Sequence, residues 1–248
     1  KLIERLPSGH PIAVCDAKGQ FLAWACGSPR SSIRLRAWSF QEQEPPDAAL
    51  IAKRVAQAFA RRRAILEQSN ARRMVFAEAD GLPGLIVDLY DEQTVVQILS
   101  AGADYFRAAI VDAIKAQGID AIYERSDAAG AQREGLNAGQ AVLHGAEPAP
   151  LISIHEHGLR FFVDVRQGHK TGFYIDQRDN RALIADLIKA MDAPRVLNCF
   201  CYTGGFSLAA WAAGAGEVIS VDSSESALEQ ARKQQSLNNL QDRQGRWW

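Results

Sequence analysis

The sequence predicts a multi-domain chain, α+β in its front and middle and α/β at its end. Three observations predict this. Residues 1–40 alternate apolar and polar in short runs, as the strands of a small sheet do. Residues 72–145 mix β-rich runs with one amphipathic helical stretch. From Val196 the pattern becomes an apolar strand, a glycine turn, an alanine-rich helix and a second strand that ends in an acid, Asp222.

The front reads as strands at Ile12–Asp16, Phe21–Trp24 and Ile33–Trp38, with Asp16–Gly19 as a hairpin turn. This small β unit reads as the middle of a fold. Glu44-Pro-Pro-Asp47 breaks the pattern and supplies a helix N-cap at Asp47. A helix over 48–68 follows, with Leu50, Val55, Phe59 and Leu66 near one face. Arg61-Arg62-Arg63 lies near its end, where cations suit the dipole. Phosphate contact and plain solvation are equally open for that triplet.

The middle reads as strands at Met74–Phe76, Leu82–Tyr90 and Thr94–Leu99, a helix over Tyr105–Gln117 closed by Gly118, and a strand over Ile119–Glu124. Asp127–Asn137 is polar and contains glycine, so it reads as a loop. Pro148-Ala-Pro150 is a joint. A hairpin then turns at His157-Gly158 between Leu151–Ile154 and Leu159–Val163, and a helix over Asp176–Met191 leads through Pro194 into the Val196 strand. Trp247-Trp248 reads as the start of a third strand. The resulting divisions are 1–42, a linker helix over 43–71, 72–150 and 151–248.

Composition is that of a globular protein, 47% hydrophobic and 23% charged. No apolar run approaches the roughly 20 residues that cross a bilayer. The four cysteines, Cys15, Cys26, Cys199 and Cys201, show no metal-ligand spacing, and scattered thiols fit a reducing cytoplasm. His155 and His157 flank Glu156, but Gly158 follows and a hairpin turn is the stronger reading; no metal is expected. The net charge of −1 hides an asymmetry. Residues 1–73 carry 13 Lys/Arg against 6 Asp/Glu, and the remainder 15 against 23. A basic front suggests a polyanion partner.

The chemistry concentrates after Val196. A ligand across a strand's carboxyl end needs close backbone approach, which Gly204-Gly205 allows. The amides that open the next helix can face an anion. Phe206, Leu208, Ala209, Ala210 and Ala212 would be that helix's packed face. Asp222, eighteen residues beyond Gly204, could accept from both hydroxyls of a ribose, each bond worth roughly 1.5–3 kcal/mol. A lone acid there could instead cap a helix, though Ser223-Ser224 can fill that role. The Gly-x-Gly-x-x-Gly fingerprint is absent, which argues against a dinucleotide pyrophosphate seat.

Leu197-Asn-Cys-Phe-Cys-Tyr-Thr-Gly-Gly-Phe-Ser207 with Val221-Asp222 resembles motifs I and II of class I S-adenosylmethionine-dependent methyltransferases. More narrowly, the chain resembles the large-subunit ribosomal RNA methyltransferase I family, which makes 5-methylcytosine in 23S rRNA. Gly81–Tyr90, Glu124-Arg-Ser-Asp127 and Lys170–Arg181 match as well, so the resemblance covers nearly the whole chain. It implies a partial PUA-like β-barrel in front, a central α+β domain and the first half of a Rossmann-like catalytic sheet. S-adenosylmethionine is the implied cofactor. Asn198, Phe200, Tyr202, Thr203, Gly204, Asp222 and Ser223 are implied to bind it. Gln177 and Arg178 would meet its polar end or a phosphate, and Phe173 and Tyr174 could wall it or stack on a base. Ribosomal RNA is the implied partner, with a homodimer as a candidate assembly and the cytoplasm as the compartment.

Cytosine C5 chemistry needs a thiolate. In the family it lies on a later segment, in a Ser-Cys-Ser context preceded by an Asp-Pro-Pro-Lys segment, which is expected beyond Trp248. Cys199 and Cys201 stand where the cofactor binds and, on a strand, would point the same way; core packing is their expected role. The chain alone is therefore expected to be inactive and to bind the cofactor weakly. A non-catalytic RNA-binding module, or a methyltransferase of the same fold with another substrate, are the alternatives. A half-built sheet would also expose an apolar edge, to be covered by more of the polypeptide or by a partner.

Overall fold

The computed structural model describes residues 7–63, 69–126, 128–137, 139–168 and 170–248. The chain divides into two compact units. The first comprises Lys1–Leu66, Arg72–Pro150 and Asp164–Gly172; the second comprises Glu67–Ala71, Leu151–Val163 and Phe173–Trp248.

The first unit opens with an antiparallel meander of β1 (Pro11–Cys15), β2 (Phe21–Gly27) and β3 (Leu35–Ser39). The expected turn is there: Asp16 Oδ1 accepts from the amides of Lys18 and Gln20. Helix α1 (Ala48–Arg63) starts as read, with Asp47 Oδ1 accepting from Leu50 N at 2.8 Å. Its expected continuation over 64–68, Leu66 included, lies outside the described residues. The arginine triplet is spent on contacts within the unit. Arg61 and Arg62 both pair with the buried Asp80, at 2.6 and 2.9 Å, and Arg63 donates to the carbonyl of Gln117.

A five-stranded mixed sheet follows, in the order β4 (Ala71–Phe76), β5 (Leu85–Tyr90), β6 (Gln93–Ile98), β7 (Ala121–Arg125), β8 (Gln140–His144). Strands β6 and β7 are parallel, and their crossover holds two helices, one upstream of the helix expected over 105–117 and one within it. These are α2 (Ala101–Tyr105), capped by Ser100, and α3 (Arg107–Lys115). The break falls at Phe106, whose ring packs against Trp38 with centroids 5.3 Å apart. The loop expected over 127–137 holds a helix instead, α4 (Ala128–Glu134). Its last residue explains the difference. Buried Glu134 accepts from the hydroxyls of Ser28 (2.7 Å) and Ser31 (2.6 Å) and pairs with Arg36, contacts far away in sequence that no local signal shows. Ile51, Val55, Phe59, Leu85, Val87, Ile110 and Ile122 join Cys26 and Trp38 in one core.

Segment 164–172 is tied into this unit by a buried polar chain. Thr171 donates to Asp88 Oδ2 at 2.5 Å, so its one proton is committed and Tyr90 must donate to Thr171 Oγ1 at 2.7 Å. Arg73 holds both Asp88 oxygens at 2.8 and 2.9 Å.

The second unit begins with a hairpin of β9 (Ile152–Glu156) and β10 (Leu159–Val163). Its turn residues His157 and Gly158 sit at φ 48° and 81°, as a two-residue turn of the left-handed kind requires. A parallel sheet follows in the order β11 (Arg195–Cys199), β12 (Glu217–Val221), β13 (Gly245–Trp247). The third strand is present but starts at Gly245, two residues before the expected start, and ends at Trp247. Helices α5 (Arg178–Lys189), α6 (Gly205–Ala212) and α7 (Glu225–Leu237) complete the unit. Helix α6 does not bury quite the expected face. Ala212 is exposed and Phe206 half-buried, while Trp211 is fully buried and donates from Nε1 to Gln244 O. On β12, Val218 and Ser220 are buried; Leu197 on β11 and Val221 on β12 are exposed, at 65% and 37%. Among the described residues no helix is long and apolar enough to cross a membrane.

Candidate functional site

Parallel strands joined by helices gather their connecting loops at the carboxyl ends, and ligands of open α/β sheets bind there. At that end of β11 the chain makes an irregular turn. Phe200, Tyr202 and Gly204 have φ of 59°, 50° and 81°. The amides of this turn are held within the protein: Cys201 N donates to Val221 O at 3.0 Å and Gly204 N to Cys201 O at 2.9 Å. Two aromatic residues in left-handed backbone are strained, and Phe200 is also 91% exposed.

The carboxylate of Asp222 fixes the turn. Its Oδ2 accepts from Tyr202 N at 2.8 Å, and its Oδ1 from Ser224 N at 2.9 Å. The capping role falls to Ser224, whose hydroxyl accepts from Ala227 N at the start of α7. Asp222 and the glycine turn therefore converge at one end of the sheet. Each carboxylate oxygen carries one backbone hydrogen bond and keeps a further lone pair.

Beside the turn lies a cavity of about 300 Å³. Phe173, Tyr174, Phe200, Tyr202 and Phe206 give it aromatic walls, and Gln177, Arg181, Cys201, Thr203 and Gly205 complete the lining. Tyr174 and Tyr202 meet edge to face at 5.4 Å. Of the residues read from sequence, Phe173, Tyr174, Gln177, Phe200, Tyr202 and Thr203 line this cavity. Asn198, Gly204, Asp222, Ser223 and Arg178 do not.

The places of these others are informative. Asn198 donates to Ser207 Oγ at 2.8 Å, and Ser207 bonds Ser220 Oγ at 2.7 Å; both serines are fully buried. Asn198 thus braces β11, α6 and β12 beneath the turn. Ser223 is exposed, and Arg178 pairs with its neighbour Asp179. For Gly204 the structure supplies a second reason. A Cβ there would lie 2.5 Å from Trp247 Cη2 and 3.1 Å from Ala231 Cβ. Packing against β13 and α7 already demands glycine.

The two cysteines do not share an environment. Phe200's left-handed backbone breaks the strand alternation, so Cys199 is exposed and Cys201 buried. Burial, and secondarily Asp222, pushes the Cys201 thiol up to about 11. It is a poor source of thiolate. Glu156, between the two histidines, is buried against Arg181. No group of three His, Cys, Asp or Glu suited to a metal occurs among the described residues. Arg181, Glu156, Ser207 and Ser220 went unassigned in sequence. Arg181 stood within a matching motif, but nothing local pairs it with a glutamate 25 positions upstream.

Residues 133–246 match the family model described as S-adenosylmethionine-dependent methyltransferase. Curated relatives bearing the name Ribosomal RNA large subunit methyltransferase I are 44% identical over 235 residues (Erwinia tasmaniensis), 44% over 237 (Tolumonas auensis) and 41% over 235 (Escherichia coli). Each match covers 94% of this chain and 59% of the relative. The chain thus spans about three fifths of the length of these relatives. Among solved structures, a Streptococcus mutans protein described as a SAM-dependent methyltransferase superposes with a TM-score of 0.83 at 22% identity, covering 97% of this chain and 62% of that one. A crystal structure described as a methyltransferase complexed with SAH gives 0.85 at 21%, covering 98% and 62%. At such identities the likeness is one of fold.

Proposed function

We propose that this protein is an S-adenosylmethionine-dependent methyltransferase acting on ribosomal RNA, and that its target is carbon 5 of a cytosine in 23S rRNA. The observation that carries the reading is the convergence of the 200–206 turn and Asp222 at the carboxyl ends of β11 and β12. The matching family model and the names borne by relatives above 40% identity support it.

The residues present fit the cofactor. Asp222 has lone pairs left for two ribose hydroxyls, the first amides of α6 suit a carboxylate, and the aromatic cavity suits apolar and cationic parts. When bound, the cofactor supplies an electrophilic methyl group. The chain's own part is to orient it and to exclude water with Phe173, Tyr174, Tyr202 and Phe206. Gln177 lines the cavity and is proposed as a contact; Arg178, turned to Asp179, is proposed to face RNA phosphate. The front strands are proposed as part of a PUA-like RNA-binding domain, in keeping with the basic balance of residues 1–73, and the cytoplasm as the place of action. No cysteine of this chain is proposed as the nucleophile: Cys26 and Cys201 are buried and pushed up to about 12 and 11, and Cys199 lies on the strand.

Calorimetric titration with S-adenosylhomocysteine tests the site. The chain should bind it weakly, and Asp222→Asn should lower the affinity at least tenfold. Equal affinity in the variant would remove Asp222 from the site. RNA binding with no affinity for S-adenosylhomocysteine would leave an RNA-binding module. Methyl transfer by the purified chain, abolished by Cys201→Ser, would overturn the assignment of the cysteines.

A further inference from the structure

We propose that Arg181, held by Glu156, is a positioning residue for the cofactor: it locks one wall of the cavity to the glycine turn without offering its charge to the ligand. This rests on the cofactor reading above.

Arg181 and Glu156 are 4% and 3% exposed. The guanidinium grips the carboxylate with two bonds, Nε to Oε1 at 2.6 Å and Nη2 to Oε2 at 2.8 Å. Nη1 and Nη2 each also donate to the carbonyl of Tyr174 at 3.1 Å. Four of the five N–H donors are thus committed to protein acceptors, which leaves the group little to offer the ligand directly. It stands 4.8 Å from the ring centroid of Phe173 and 5.9 Å from that of Phe206. One ring belongs to the segment that enters α5, the other to α6. A Cβ on Gly205 would lie 3.2 Å from Arg181 Cδ. Arg181 thus touches the Phe173–Tyr174 wall and the opposing turn together.

Glu156 is a rigid post for this clamp. It ends β9, its backbone bridges to Ser69, and it pairs with Leu159 across the hairpin. The outer edge of that hairpin is held by α7: Asn238 exchanges both hydrogen bonds with Arg160, and Gln230 donates to Phe162 O. A second cavity, of about 450 Å³, opens on the other side of Arg181, beside Leu159, Ala185 and Ala209. With open space behind it, the side chain depends on Glu156 for its place. A buried ion pair gains little over an apolar pair of similar volume, so stability alone does not account for it here. A flat, five-donor group that spans carboxylate and carbonyl at once does, and lysine cannot reproduce it.

The test is S-adenosylhomocysteine affinity in wild type, Glu156→Gln and Arg181→Lys, with amide exchange over residues 173–178 as a second readout. Arg181→Lys keeps a charge opposite Glu156 and covers the case in which Glu156→Gln does not fold. Leu208→Ala, a core change in the same unit, serves as a control for lost stability. Both variants should bind roughly tenfold more weakly and exchange faster over 173–178 without ligand, while the control keeps its affinity. Wild-type affinity in folded Glu156→Gln or Arg181→Lys overturns the positioning role and leaves the cofactor reading intact. An equal loss in the Leu208→Ala control reduces the pair to a structural one and overturns it too. Absence of binding by wild type overturns both.

Discussion

Gly204→Ala separates two reasons for a glycine at the turn. If the residue is glycine for packing, the substitution carries two costs. Alanine at φ 81° costs roughly 1–2 kcal/mol. The added Cβ also falls 2.5 and 2.9 Å from two ring atoms of Trp247 and 3.1 Å from Ala231 Cβ, and such overpacking costs about 1–3 kcal/mol. The smaller entropy of the unfolded alanine chain returns about 0.4–1 kcal/mol, leaving a net loss of about 2–4 kcal/mol. Gly158 is the matched control. It lies in the same unit at φ 81°, with nothing within 4 Å of where its Cβ would stand, so Gly158→Ala should cost only the backbone part, about 1 kcal/mol. Amide exchange at Ile219 and Ser220, in the strand beside Trp247, reads the stability of this unit directly. Trp247→Leu added to Gly204→Ala should recover part of the loss, because the two sites touch. Equal costs for Gly204→Ala and Gly158→Ala would refute the packing reason. Should that mild variant also lose S-adenosylhomocysteine binding, the glycine serves the ligand instead.

Tyr90→Phe should cost about 1 kcal/mol in urea unfolding of the first unit, and Thr171→Val roughly 1–3 kcal/mol, since it removes the hydroxyl that serves the buried Asp88. Burial pushes the carboxyls of Glu134 and Asp80 up, but hydrogen bonds from Ser31, Ser28 and Arg36, and from Arg62, Phe76 N and Arg61, outweigh it and hold both below their ordinary range. Folded values below unfolded ones stabilise above the ordinary carboxylate range and lose that stability as pH falls through the folded values, so the first unit should weaken below about pH 4. Glu134→Gln, which at neutral pH should cost about 1–3 kcal/mol by weakening the buried acceptor of Ser28, Ser31 and Arg36 while Arg36 keeps Glu78, should flatten that pH dependence in denaturation curves. Phe200→Gly relieves a left-handed aromatic residue whose ring is almost wholly exposed; thermal melting should show unchanged or slightly raised stability, and a matching loss of S-adenosylhomocysteine affinity would mark the ring as a wall of the site.

What could be read from the sequence was what local chemistry dictates. Asp47 caps α1, His157-Gly158 turns a hairpin, and the apolar run at Val196 is a strand. What could not be read depends on partners far off in the chain. Within the polar stretch, Ala128–Glu134 is helical where Glu134 meets Ser28 and Ser31, a hundred positions away. The arginine triplet carries no sign of Asp80. At the site, the turn and Asp222 were legible because a motif spaces them, and Gln177 because its neighbours match one. Arg181's partner was not, since a single glutamate between two histidines suggests other chemistry first.

The two units differ in where backbone strain meets exposed apolar surface, and the difference bears on where function sits. In the first, the buried carboxylates Asp80, Asp88, Glu124 and Glu134 each have a cationic partner, and the apolar core spans sheet and helices. In the second, the costs gather at the carboxyl end of β11: two aromatic residues in left-handed backbone, an exposed phenyl ring, and apolar strand residues open to solvent. Folding alone gives no return for strain at Phe200 and Tyr202, because glycine at either position would relieve it. The surroundings nevertheless over-determine that turn, through Val221 O on Cys201 N, Asp222 on Tyr202 N and Trp247 against Gly204. Strain that is fixed from three sides rather than relaxed is what a preorganised binding turn requires. That strain supports the proposed site on the 200–206 turn and Asp222, and the positioning role proposed for Arg181.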